Sequence, residues 1–233
     1  MRLDKYAAYA AKSRKEIKKL ISGGKVSVNG TIIKDAGYNV KDDDEVLVYG
    51  VPFKYREFIY LLMNKPEGVV SATFDPRQKT VIDLLSEEDK RFEPFPVGRL
   101  DIDTTGLLIL TNDGAMAHNL LSPAKKVPKK YIAEVDGEIS EVDIRKFNEG
   151  IVLDDSYKTK PAQLVPLEKC RGEVVIAEGK FHQVKRMFAD CGKKVLSLKR
   201  VEFASIKIDE SLKAGEYRHL TEEEVSILCN IMQ

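Results

Sequence analysis

The stretch GRLDIDTTGLLILTNDG, Gly98 to Gly114, sets Arg99, Asp101 and Asp103 directly ahead of the apolar run Leu107 to Leu110. Two carboxylates and a guanidinium crowded against a buried segment could do several kinds of chemistry. Asp101-x-Asp103-x-Thr105-Gly106 imitates a calcium loop, but its twelfth position, Asn112, supplies one neutral oxygen where a bidentate carboxylate belongs. Leu107 to Leu110 are apolar where further ligands would sit. Arg99 and Asp101 could form a structural ion pair. On extended chain, Asp101 and Asp103 would share a face roughly 6.5 Å apart, in crude terms an acid/base pair for glycoside hydrolysis. Thr104, Thr105 and Gly106 read as a turn, however, and no aromatic sugar platform is evident nearby.

Other sites offer less. Gly24-Lys25-Val26 resembles the end of a phosphate loop, but Lys19 occupies the first glycine position and Val26 the magnesium-holding hydroxyl position. His118, His182 and His219 are dispersed, which argues against a histidine metal cluster. Cys170, Cys191 and Cys229 are odd in number and widely spaced, so they form neither a disulfide framework nor a C-x-x-C site and are expected to be reduced. His182 reads as a structural or RNA-facing residue. A site without metal or cofactor is the expectation.

The elements that must position these residues follow from periodicity. Ser13 to Glu16 reads as a capping box ahead of Ile17, Leu20 and Ile21 at helical spacing, ended by Gly23-Gly24. Val26 to Val28 and Thr31 to Ile33, joined by Asn29-Gly30, predict a hairpin. Gly50-Val51-Pro52 and the charged Lys54 to Glu57 mark a boundary, giving a small first domain over 1–52 and a second domain over 57–233. In the second, strands are expected at Tyr60–Asn64, Leu107–Thr111, Tyr131–Val135, Val174–Ala177 and Val195–Val201. Helices are expected at Ser140–Glu149, His182–Cys191 and Thr221–Met232. The class is α+β: a small helix-helix-hairpin unit followed by a mixed, largely antiparallel sheet.

The chain has 233 residues, 43% apolar and 32% charged, enough for one large or two modest cored domains. Apolar runs fall far short of a membrane span and the N-terminus is charged, so a soluble, cytoplasmic protein is expected. Net charge is only +1, but it is unevenly spread. Residues 1–25 hold eight Lys/Arg against Asp4 and Glu16. Lys125, Lys126, Lys129 and Lys130 form a second cluster, and residues 178–200 hold seven Lys/Arg against Glu178 and Asp190. Three basic clusters on a near-neutral chain suggest basic surfaces offset by acidic ones elsewhere.

Five ordered segments of the second domain resemble pseudouridine synthases of the RsuA type: Leu62 to Gly68, Gly98 to Leu108, Lys129-Lys-Tyr131, Lys158 to Ala162 and Glu178 to Met187. Met1 to Tyr6, Ser13-Arg14 and Val26 to Gly30 resemble the alpha-L RNA-binding domain known from a ribosomal protein. The resemblance implies an isomerase that detaches a uracil from its ribose, turns it and rejoins it through carbon 5. It makes Asp101 the catalytic aspartate, Lys185 its cationic partner where more distant relatives have arginine, and Tyr131 the ring stacked on the flipped base. Arg99 would fill the vacated space or hold phosphate. Asp103 is expected to shape the loop. Lys65 is expected to shape its surroundings, a phosphate contact being the alternative.

RNA contacts are expected from Arg2, Lys5, Arg14, Lys15, Lys18, Lys19, Lys25, Lys129, Lys130 and Arg186, making binding steeply salt dependent. The implied partner is ribosomal RNA, small-subunit in preference to large-subunit, met by a monomer during ribosome assembly. A non-catalytic assembly factor on the same fold is the rival from another class. An intact Asp101, Tyr131 and Lys185 count against it, because a pure binder gains nothing from a buried carboxylate facing anionic RNA.

Overall fold

A computed structural model describes residues 1–11 and 13–231. It divides into two compact units: Met1–Phe58 with Ser86–Glu93, and Ile59–Leu85 with Pro94 onward. Ser86–Glu93, inside the span expected for the second domain, thus groups with the first unit.

The first unit begins with helices α1 (Leu3–Tyr6) and α2 (Arg14–Ser22). Ser13 Oγ accepts from Glu16 N at 3.2 Å and caps α2, as its sequence suggests. Ile17 and Ile21 are fully buried, each contributing about 1.5–3 kcal/mol. Gly24 at φ +70° reverses the chain, with its N–H on Ile21 O. Strands β1 (Val26–Val28) and β2 (Thr31–Ile32) form the expected hairpin, Asn29 and Gly30 both taking positive φ. A second hairpin, β3 (Val46–Val48) and β4 (Val51–Pro52), completes a sheet ordered β2-β1-β3-β4. It turns on Tyr49-Gly50, and a tyrosine at positive φ is not a residue that announces a turn. The short helix α3 (Glu87–Lys90) belongs to the same unit.

The second unit is a mixed sheet ordered β13-β5-β7-β11-β8-β10-β9. Its strands are β5 (Tyr60–Lys65), β6 (Phe95–Pro96), β7 (Thr104–Thr111), β8 (Lys129–Val135), β9 (Gln163–Glu168), β10 (Arg171–Ile176), β11 (Val195–Phe203), β12 (Ile206–Lys207) and β13 (Tyr217–His219). Strand β6 lies on β7 and β12 on β11; among the described residues the named strands pair antiparallel except β7 with β11, which run parallel. Leu107 to Leu110 are wholly buried because β7 is central, which is why they run apolar without alternating.

Helices α4 (Gly114–Leu121), α5 (Glu141–Glu149), α6 (Gln183–Asp190) and α7 (Glu222–Asn230) complete this unit. Ser140 with Asp143, and Thr221 with Glu224, form reciprocal capping boxes on α5 and α7. The expected last helix reaches Met232, which lies outside the described residues. Helix α4, capped by Asp113, went unforeseen, as did β9 and β13; β9 is an exposed edge carrying Pro166 and so lacks a strand's periodicity. One expectation is corrected. Thr104 to Gly106 do not form a turn but open β7, pairing with Leu198 to Arg200 of β11. Gly106, at φ +99°, allows the approach: a Cβ there would stand 2.3 Å from Arg200 O.

Candidate active site

Asp101 sits on the loop entering β7, and three side or main chains from the end of β5 and the segment after it hold that loop. Ser71 Oγ donates to Leu100 O at 2.9 Å and accepts from Leu100 N at 3.1 Å. Gly68 N donates to Ile102 O. Lys65 is fully buried, and its ammonium donates to Pro66 O (3.0 Å), Ile102 O (3.3 Å) and Thr104 O (2.9 Å). Those bonds use all three of its protons, and burial lowers its pKa to about 8. Lys65 is therefore an internal clamp, and its burial excludes the phosphate contact.

Opposite Asp101, the first turn of α6 presents Lys185. Its Nζ lies 3.2 Å from Asp101 Oδ2 and 2.5 Å from Asp103 Oδ1. A lysine is a point charge without a fork, so it can divide itself between two carboxylates. Burial works to lower the Lys185 pKa, but the bonds to Asp103 and Asp101 outweigh it and hold the group above its ordinary value. The bond from Lys185 likewise holds Asp103 below the usual carboxylate range. Asp103 is thus more than a loop-former. His182 Nε2 stands 3.6 Å from Asp101 Oδ1, beyond hydrogen-bonding length, with its backbone left-handed at φ 48° and its ring stacked on the exposed Phe181.

A cavity of about 810 Å³ opens beside the carboxylate, lined by Asp101, Arg99, Tyr131, His182, Leu198 and Arg200 among others. The Asp101 side chain keeps 26% of its surface exposed. Sheet register builds the floor: Tyr131 of β8 pairs with Arg200 of β11, and Leu198 lies beside Thr104 of β7. Tyr131 is buried, and Arg99 is exposed where it lines the cavity.

Of the sequence-predicted site, Asp101, Tyr131, Arg99 and Lys129 line this one cavity, and Lys185 joins them through its contact with Asp101. Lys130 does not: strand alternation turns it to the other face, where it pairs with Glu173 at 3.1 Å. Arg186 pairs with Asp154 and Asp155, which leaves it little freedom to meet phosphate. In the first unit Lys5, Arg14, Lys15, Lys18, Lys19 and Lys25 are exposed, whereas Arg2 is held by Asp4 at 2.9 Å.

Sequence reasoning missed Glu178 and Gln183. Glu178 is buried and accepts from Tyr157 Oη, Lys160 N and Gln183 Nε2. Gln183 Oε1 accepts in turn from Lys180 N, so the two fix the loop that delivers Lys185. Thr104, Leu198 and Arg200 were also missed, since only cross-strand register brings them to the floor.

The RNA pseudouridylate synthase family model matches residues 59–190, and the S4 domain model matches residues 1–46. An uncharacterized RNA pseudouridine synthase of Bacillus subtilis is 50% identical, covering 98% of each chain. Ribosomal small subunit pseudouridine synthase A of Vibrio cholerae is 40% identical over 97% of this chain and 98% of its own. Ribosomal large subunit pseudouridine synthase B of Bacillus subtilis is 39% identical over 97% and 95%. A crystal structure of a pseudouridylate synthase, 35% identical, superposes with TM-score 0.70 over 98% of this chain and 99% of that one.

Proposed function

Because this chain belongs to the RNA pseudouridylate synthase family and carries an S4 RNA-binding domain, we propose that it converts a uridine of small-subunit ribosomal RNA to pseudouridine, with Asp101 as the catalytic carboxylate. The observation that supports this assignment is the 3.2 Å contact of Lys185 Nζ with Asp101 at the edge of the cavity floored by Tyr131.

The target uridine leaves its stack, at a cost of a few kcal/mol, and enters the cavity against the Tyr131 ring. Lys185 sets a positive charge 3.2 Å from the Asp101 carboxylate. An ionised carboxylate there can attack the ribose, attack the pyrimidine ring or remove a sugar proton. Each route opens the bond from N1 to the anomeric carbon. The ring then turns and bonds through carbon 5, carbon 5 loses its proton and N1 gains one, so the product keeps its mass. The exposed lysines and arginines of α2 supply affinity for the backbone.

The 40% identity to a small-subunit synthase supports the small-subunit target, and the 39% identity to a large-subunit synthase supports the second reading. Transcripts of each ribosomal RNA carrying tritium at carbon 5 of uridine separate them. Release from small-subunit RNA is expected. Release from large-subunit RNA alone would replace the target, and release from neither would remove the assignment.

A further inference from the structure

Among the described residues, three buried side-chain polar atoms have no hydrogen-bond partner: Thr104 Oγ1, Arg171 Nε and Arg200 Nη2. Two of those three residues, Thr104 and Arg200, line the cavity of Asp101, and each is only 2% exposed. Buried polar groups are nearly always paired, so two unpaired ones beside the cavity leave hydrogen-bonding capacity unused there.

The floor is also cationic. Arg200 spends one donor on Leu107 O (2.8 Å) and lies 5.0 Å from the Phe203 ring centre. Lys129 lines the same cavity, donates to Val127 O and stands 5.4 Å from the same ring centre. Among the described residues neither cation has a carboxylate within ion-pairing distance, and the nearby Glu178 already accepts three hydrogen bonds. Burial, then Arg200, lower the Lys129 pKa to about 8, with the Glu178 charge opposing them only in part.

We propose that Arg200, assisted by Lys129, holds a carbonyl oxygen of the extruded uracil and stabilises the negative charge the ring carries once it is detached. The inference rests on the reading of this site given above. Depth distinguishes base from backbone: the phosphates of a bound strand stay outside with solvent, near the exposed Arg99, whereas the pyrimidine goes to the floor. Tyr131, the ring assigned to stack the base, is the register partner of Arg200, and both residues line the cavity.

The chemistry balances. When the bond from N1 to the anomeric carbon breaks, its electron pair stays with the ring and spreads from N1 onto the carbonyl oxygens. Arg200 and Lys129 neutralise that charge while Asp101 deals with the sugar. When carbon 5 bonds the anomeric carbon, the ring returns the pair. Carbon 5 then loses its proton and N1 takes one. Donors placed in advance where charge develops act most strongly in a water-poor site.

The test is single-turnover tritium release from both ribosomal RNAs by the full-length protein, with RNA affinity and thermal unfolding measured in parallel. Arg200→Ala is expected to lose about 10²–10³-fold in rate, with RNA affinity retained and part of the rate restored saturably by methylguanidinium. Lys129→Met should lose at least about tenfold, and Arg200→Lys should fall between Arg200→Ala and wild type. Should Arg200→Ala not fold, the other two variants decide. Wild-type rates in folded Arg200→Lys and Lys129→Met, or a loss confined to RNA affinity, overturn this inference alone. A wild-type protein inactive on both RNAs overturns the reading of the site and this inference with it.

Discussion

Lys185 Nζ stands 3.2 Å from Asp101 Oδ2, across a gap that only folding closes, since one residue lies on the loop before β7 and the other on α6. The lysine makes its shorter contact, 2.5 Å, with Asp103. Two carboxylates therefore share one cation, and only Asp101 of the two lines the cavity.

Substitution should separate them. Asp101→Asn is expected to lower single-turnover tritium release by about 10³-fold or more, within the range of a lost acid-base group, with RNA binding unchanged. Asp103 is 57% exposed, and an exposed pair contributes at most about 1 kcal/mol. Asp103→Asn should accordingly lose less than about tenfold. Comparable losses in both variants would show that the carboxylates act as a unit.

Lys65 should govern both stability and activity. Lys65→Met removes a donor from three carbonyls, of which Ile102 O keeps Gly68 N, for an expected loss of about 1–3 kcal/mol in urea unfolding at neutral pH, with turnover falling because the Asp101 loop is released. The pH dependence has a definite sign. Burial brings Lys65 from 10.5 to about 8, so between those values the unfolded chain holds a proton that the folded chain has released. Stability then rises with pH across that window. The stability of wild type relative to Lys65→Met should grow from pH 8 to 10.5, and a difference that stays flat would contradict the clamp.

Gly106→Ala tests the parallel pairing that joins the Asp101 strand to the floor. A methyl group would meet Arg200 O at 2.3 Å and Arg200 N at 2.9 Å, at a backbone φ of +99°. Overpacking and the unfavourable φ together should cost about 2–4 kcal/mol, visible as a large fall in Tm. A near-normal Tm would mean that β7 and β11 can separate without consequence.

On α2, Lys18→Ala with Lys19→Ala should weaken RNA binding and flatten its dependence on salt. Each lost phosphate contact removes about 0.7–0.9 from the slope of log K against log salt. Arg2→Ala should change it less, because Asp4 already occupies that guanidinium. Equal slopes for wild type and the double variant would take α2 out of the interface.

Local chemistry made much of this legible. Ser13, Ser140 and Thr221 announce their helices because a cap is a bond to a residue three positions away. Asn29-Gly30 announces its hairpin because those residues accept positive φ. Where a position is shaped by distant partners the signal fades: Tyr49 turns the second hairpin, Pro166 sits in an edge strand, and Thr104 to Gly106 extend into β7.

By itself the amino-acid order marked Asp101 and Tyr131 as candidates, through short motifs that resemble a known family and are legible because they are local in the chain. Tertiary structure alone decided which lysines serve the site. Lys129 and Lys130 are neighbours in the chain, yet strand alternation sends one to the cavity and the other to Glu173. Lys65 became a clamp, and Arg200 came to the cavity floor, because a buried cation takes its place from the carbonyls and rings that folding brings within a few ångströms of it.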